Sequence, residues 1–132
     1  MQPYHYEDLG KKLNIRVSFN DKYNEEETHF LTCNNPYFQM IQKSINKDIT
    51  IRQEFDLNEH DKKQVDDFDT LNHIYQNLQV YKEKNNLFDF NDIVKAVLNS
   101  DKIPVFKAIF IDEAQDLSPL QWQLYDLSLI HI

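Results

Sequence analysis

Apolar side chains recur at helical spacing along most of this chain. The pattern predicts a first helix over residues 4–13 that ends near Asn14. The triplet Asn34-Asn35-Pro36 is a helix-start signal, with Pro36 at the first helical position. One stripe of this second helix is predicted to be core, and it consists of Tyr37, Met40, Ile41, Ser44 and Ile45.

The longest helical pattern runs from about Asp66 to Lys84 and ends at Asn85-Asn86. Its shared apolar face consists of Phe68, Leu71, Ile74, Tyr75, Leu78 and Tyr81. A further helix is predicted over 90–98, with Asp89 as its cap and Asp92 near its positive end. The residues expected to bury that helix are Phe90, Ile93, Val94, Val97 and Leu98.

A different pattern follows over Val105–Ile111, where apolar residues are nearly continuous. Such a run is typical of a strand that is buried on both faces of a parallel sheet. It ends abruptly at Asp112 and Glu113, and open α/β sheets bind their ligands at the carboxyl ends of strands. The pattern therefore predicts an α/β protein with acidic chemistry at the end of one strand. Ser118, Pro119 and Gln121 then predict a capped helix start.

Composition narrows the range of functions. The net charge is −8, which argues against strong DNA binding by this chain alone, because nucleic-acid binding usually needs a basic surface. A single cysteine, Cys33, excludes an internal disulfide framework and a cysteine-based zinc site. No signal peptide and no apolar stretch of membrane-spanning length is visible, so a soluble, cytoplasmic protein is expected.

Two blocks of sequence carry a resemblance to a known family. The segment from Ile111 to Gln121 resembles the Walker B motif, helicase motif II, of UvrD-like superfamily I DNA helicases. The matching residues are Asp112, Glu113, Gln115, Asp116 and Gln121. Upstream, residues 87–94 resemble the Asp-Phe-x-Asp-Leu segment that precedes motif II in that family.

The resemblance implies a fold and a division of the chain. The expected fold class is α/β: a mostly helical fragment of a RecA-like P-loop NTPase motor domain, with its inserted helical subdomain. Residues 1–86 would form the inserted helical region, and residues 87–126 would belong to the ATP-binding domain with its Walker B strand. Residues 127–132 form a short apolar tail that resembles translated sequencing-adapter sequence and is predicted to be non-native.

The same resemblance implies the chemistry. Asp112 would hold Mg²⁺ and Glu113 would act as the catalytic base. Gln115 and Asp116 would either sense the γ-phosphate of ATP or link the site to neighbouring motifs. The activity would be an ATP-dependent DNA helicase that moves 3′ to 5′ on single-stranded DNA and unwinds duplex junctions. Gly10, the only glycine, is followed by lysines and not by a phosphate-binding loop, so the chain alone is predicted to be inactive.

The sequence also allows interpretations of these residues, and of the whole chain, that do not involve a helicase. Asp112 and Glu113 could form a surface turn after a strand, and Gln115 and Asp116 could simply cap the following turn. For the whole chain, the alternatives are a non-enzymatic helical interaction module and a metal-dependent nuclease. The nuclease requires further acidic and lysine residues on adjacent strands, and none is recognisable. A UvrD-like helicase could serve in repair, replication or a viral role.

Overall fold

The computed structural model describes residues 1–21, 31–58, 64–100 and 102–128. Within these ranges the helices are α1 (Pro3–Leu13), α2 (Pro36–Asn46), α3 (Ile51–Leu57), α4 (Phe68–Asn85), α5 (Phe90–Leu98) and α6 (Pro119–Ser128). Strands β1 (Phe19–Asp21) and β2 (Leu31–Cys33) pair antiparallel in a two-stranded sheet. No helix in these ranges combines the length and the apolar character needed to cross a membrane.

Helices α2 and α5 begin at the side-chain caps that the sequence predicts. The Asn35 side chain accepts hydrogen bonds from the backbone N–H groups of Tyr37 and Phe38, and Pro36 occupies the first turn of α2. Asp89 caps α5 by accepting from the N–H of Asp92. These bonds satisfy donors that a helix N-terminus leaves without an intrahelical partner, so the predicted starts of both helices are confirmed.

The main core lies where α1, α2 and α4 meet. Its buried residues are Leu9, Phe38, Met40, Ile41, Val65, Leu71, Ile74 and Leu78. The apolar stripes predicted for the second helix and for the longest helix are confirmed, because both supply this cluster. Helix α3 packs against α2 and α4 at the edge of the core, and Phe55 meets Phe68 there with ring centroids 5.4 Å apart.

Gly10 allows the chain to reverse closely after α1. A Cβ atom built at this position would lie 2.6 Å from the Cγ2 atom of Val17 and 3.0 Å from the carbonyl oxygen of Ile15. The N–H of Ile15 also donates to the carbonyl oxygen of Gly10 at 2.9 Å. Glycine is therefore required here for close packing, which offsets its poor helix propensity.

The predicted burial of α5 is wrong at two positions. Phe90 is 63% exposed and Ile93 is 54% exposed, whereas Asn91 and Val94 are buried. The physical reason is that α5 packs against α6 along one face only. In the part of the chain that is described, no element covers the opposite face.

The predicted buried strand over Val105–Ile111 is also wrong for this structure. The segment is extended, and the Phe106 N–H donates to the Ser128 carbonyl oxygen at 2.9 Å. Phe110 is 96% exposed. A strand needs neighbours for its N–H and C=O groups, and β1 and β2 pair only with each other. The observed fold is therefore mostly helical, and the expected parallel sheet does not occur within the described ranges.

The pair formed by α5 and α6 is attached to the helical core by polar contacts. The Asn91 side chain donates to the Asn46 side chain of α2 at 2.9 Å. Asp48 accepts from the Gln123 side chain of α6 at 2.8 Å and lies 3.7 Å from the Lys95 ammonium of α5. Both helices are thus anchored at the C-terminal end of α2. Residues 129–132 lie outside the described ranges, so the proposal of a non-native tail stays a prediction.

Candidate functional site

The acidic residues singled out by the sequence lie in one tight turn. Ala114–Asp116 form a 3₁₀ helix, and Glu113 immediately before it adopts the left-handed conformation with φ 52° and ψ 42°. A non-glycine residue in this region stores strain of roughly 1–3 kcal/mol, and such residues cluster at functional sites. The turn reverses the chain between the extended segment and α6.

Hydrogen bonds within the turn involve all four predicted site residues. Asp112 Oδ1 accepts from the N–H of Glu113 at 3.0 Å, and the Gln115 side-chain amide donates to the Glu113 carboxylate. The N–H of Asp116 donates to the Glu113 carbonyl oxygen at 2.9 Å. The structure therefore brings Asp112, Glu113, Gln115 and Asp116 together, and all four are exposed.

The turn is held at both ends. Downstream, the N–H of Ser118 donates to the Gln121 side chain at 2.8 Å, and the N–H of Gln121 donates back to the Ser118 hydroxyl at 3.4 Å. This reciprocal cap confirms the predicted start of α6. Upstream, the bond from Phe106 to Ser128 ties the extended segment to the far end of α6. The turn over residues 112–116, called the acidic turn from here on, therefore connects the extended segment to α6, and these two elements also contact each other.

The chemistry of the acidic turn fits a magnesium–nucleotide complex. Mg²⁺ takes oxygen ligands and is commonly bound through one or two carboxylates together with waters and substrate phosphates. Asp112 and Glu113 offer exposed carboxylate oxygens at the end of an apolar segment, which suits such shared coordination. Within the described ranges, no group of three or more His, Cys, Asp or Glu side chains could hold a metal ion unaided.

Asp89 and Asp92 lie in a different environment, at the corner between α4 and α5. Both accept hydrogen bonds from the ammonium group of Lys82, which is only 5% exposed. Burial raises the pKa of the Asp89 carboxyl, but the hydrogen bonds from Lys82 and from the Asp92 N–H lower it by a larger amount. The pKa of Asp89 therefore lies below its usual value. Helix capping, as predicted from the sequence, and ion pairing with Lys82 thus account for these two carboxylates.

Lys82 is the residue that the sequence reasoning missed. It continues the buried face of α4 at helical spacing after Leu71, Ile74 and Leu78, and it precedes Asp89 by seven positions. A lysine on an apolar stripe close to two carboxylates is the signal that could have revealed it. A cleft of about 400 Å³ adjoins this corner; its lining includes Lys82 and Phe88 and none of the residues of the acidic turn.

Comparison with known proteins places these features in a family. The model of the UvrD/REP helicase N-terminal domain matches residues 4–130, which include the helical core, the α4–α5 corner and the acidic turn. No curated protein and no solved structure gives a significant match. Since the family model covers nearly every residue, this chain belongs to the UvrD/REP helicase family.

Proposed function

We propose that this chain supplies the motif II turn and the adjoining helical region of an ATP-dependent DNA helicase. The observation that carries the proposal is the exposed turn over 112–116, which joins adjacent carboxylates to an apolar extended segment inside the family match. ATP hydrolysis would drive movement on single-stranded DNA in the 3′-to-5′ direction and the unwinding of duplex junctions. The acidic net charge assigns most DNA contacts to other parts of such a helicase.

The proposed fold of the complete helicase is RecA-like. Here "complete helicase" means a protein that joins this chain to a phosphate-binding loop and to the other strands of a motor domain. In it, Val105–Ile111 would become a central strand, and residues 87–126 would belong to the ATP-binding domain while 1–86 form an inserted helical region. The exposure of Val105, Phe106 and Phe110 supports this, because apolar side chains gain free energy when a sheet covers them.

Asp112 is the proposed magnesium-binding residue. Its carboxylate would hold the ion through a coordinated water beside the hydroxyl of the phosphate-binding loop. Bound Mg²⁺ would neutralise charge on the phosphate oxygens of ATP. The hydrogen bond from the Glu113 N–H to Asp112 Oδ1 fixes this carboxylate relative to the turn.

Glu113 is the proposed general base. Its carboxylate would accept a proton from the attacking water as that water's oxygen bonds to the γ-phosphorus and the bond from phosphorus to ADP breaks. The left-handed backbone at Glu113 turns the chain between the two carboxylates, which supports different roles for neighbouring acids. Gln115, whose amide donates to Glu113, and Asp116 would contact the γ-phosphate and relay its loss to neighbouring motifs.

The proposal predicts a difference between this chain and the complete helicase. The 132-residue chain should show no ATP turnover, because its only glycine is Gly10 and no phosphate-binding loop is present. The complete helicase should hydrolyse ATP in a Mg²⁺-dependent reaction that single-stranded DNA accelerates. Phosphate release measured on both proteins, with and without DNA, tests this. Mg²⁺-dependent turnover by the chain alone, or none by the complete helicase, would contradict the proposed function.

A further inference from the structure

Lys82 makes contacts on both sides of the corner between α4 and α5. Its carbonyl oxygen accepts from the N–H of Leu87 at 2.9 Å, which closes the last turn of α4 beyond the left-handed Asn86. Its ammonium group lies 2.5 Å from Asp89 Oδ2 and 2.8 Å from Asp92 Oδ2, at the first turn of α5. One residue therefore ties the end of one helix to the start of the next.

The carboxylates that receive Lys82 are themselves fixed. Asp89 Oδ1 accepts from the N–H of Asp92 at 2.9 Å, and Asp92 Oδ2 accepts from the N–H of Asp89 at 2.8 Å. The Lys82 side chain is 5% exposed and that of Asp89 is 13% exposed. A buried ammonium is costly unless its partners are well placed. The corner is therefore stable in an arrangement that keeps all three charged groups together.

The direction of α5, together with the contacts of α5 and α6 with the end of α2, determines where the acidic turn lies. Helix α5 packs along α6, and α6 begins at Pro119, three residues after Asp116. Helix α4 belongs to the main core through Leu71, Ile74 and Leu78. A change in the angle between α4 and α5 would consequently move α6 and the acidic turn relative to the helical core.

We propose that Lys82 is a positioning residue, which fixes the angle between α4 and α5 and thereby couples the helical region to the acidic turn. The catalytic consequence rests on the proposed helicase function, whereas the angle itself is a property of this chain. Without the ammonium group, the Asp89 and Asp92 carboxylates repel each other, and the corner loses its link to the buried face of α4.

The angle can be measured directly in the 132-residue chain. Spin labels at two exposed positions, introduced as Gln76→Cys on α4 and Ala96→Cys on α5 in a Cys33→Ser background, report the distance between the helices by double electron–electron resonance. The otherwise unchanged chain should give one narrow distance distribution. Lys82→Met should broaden or shift it, and Lys82→Arg, which keeps the charge, should restore most of it.

Two further variants keep the test decisive if Lys82→Met does not fold. Asp92→Asn can still accept from the Asp89 N–H but loses its charge, so it weakens the contact with Lys82 while retaining the helix cap, and it should also broaden the distribution. Lys84→Met removes an exposed charge from the same helix turn and should leave the distribution narrow. An unchanged distribution in Asp92→Asn, or in Lys82→Met where that variant folds, would overturn the proposal, as would equal broadening in Lys84→Met.

Coupling is then measured in the complete helicase. Lys82→Met should raise the ATP consumed per base pair unwound by at least about fivefold, the lower end of typical coupling between sites. Lys82→Arg should bring the ratio back toward that of the unchanged enzyme. An unchanged ratio in Lys82→Met would refute the coupling role. Failure of the unchanged helicase to hydrolyse ATP would refute the proposed function instead, while the distance measurement would still decide whether Lys82 fixes the angle.

Discussion

Replacing Glu113 by Gln in the complete helicase should lower the rate of ATP hydrolysis by about 10²–10⁴-fold, the usual contribution of general acid–base catalysis. Glutamine preserves the size of the side chain, and its amide can still meet the Gln115 side chain in the turn. It cannot accept a proton from water at neutral pH. Turnover should therefore fall while ATP binding is largely retained, which phosphate-release kinetics and nucleotide titration measure separately.

A matched control separates this effect from a general loss of negative charge. Glu7 is an exposed glutamate on α1, far along the chain from the acidic turn. Glu7→Gln should leave both turnover and ATP binding unchanged. Full turnover in Glu113→Gln would remove Glu113 from the role of base, and an equal loss in both variants would show that the effect is not specific.

Replacing Phe110 by Asp should lower the stability of the complete helicase strongly and change that of the 132-residue chain very little. In the 132-residue chain Phe110 is 96% exposed, so the free energy of unfolding should change by no more than about 0.5 kcal/mol. In the complete helicase the segment would be a central strand, and a buried, unpaired carboxylate there costs several kcal/mol. The variant helicase should therefore melt at a much lower temperature and lose ATP turnover.

Phe110→Leu is the control for this comparison. It keeps an apolar side chain that a sheet can cover, so it should reduce the stability of the complete helicase much less than Phe110→Asp. Calorimetry or urea unfolding of both proteins gives the required free energies. Equal tolerance of Phe110→Asp in the chain and in the complete helicase would show that the segment does not become a buried strand.

Local signals in the sequence were sufficient for most helices of this fold. The stripe through Leu71, Ile74 and Leu78 is long and regular, and it lies in the core as predicted. Caps such as Asp89 were predictable because a helix start needs acceptors for its free N–H groups, wherever the rest of the chain lies.

Long-range features were not predictable from the same signals. The apolar run over Val105–Ile111 reveals a need for burial, but its strand partners must come from elsewhere, and the described residues do not supply them. Phe90 and Ile93 are exposed for the same reason, because an apolar helix face is buried only when another element packs against it. The ion pairs of Lys82 with Asp89 and Asp92 join two helices, so periodicity within α4 places Lys82 on the buried face but does not reveal its partners.

The candidate site was predictable in position and not in geometry. The order of Asp112, Glu113, Gln115 and Asp116 carries the family resemblance, and the structure collects these residues in one turn. The left-handed backbone of Glu113 has no such signal, because glutamate gives no indication of a positive φ. Glu113 adopts this conformation in the turn between the extended segment and α6.

In the complete helicase the acidic turn should bind a magnesium–nucleotide complex, and iron-mediated cleavage of the backbone tests this claim most directly. Fe²⁺ substituted for Mg²⁺ in the complete helicase reduces added hydrogen peroxide to a hydroxyl radical and hydroxide beside the metal, ascorbate returns the Fe³⁺ to Fe²⁺, and mass spectrometry of the fragments locates the cut. Cleavage within residues 112–116 that requires ATP and disappears with excess Mg²⁺ is the predicted result. Nucleotide-dependent cleavage elsewhere, with residues 112–116 intact, would contradict the claim.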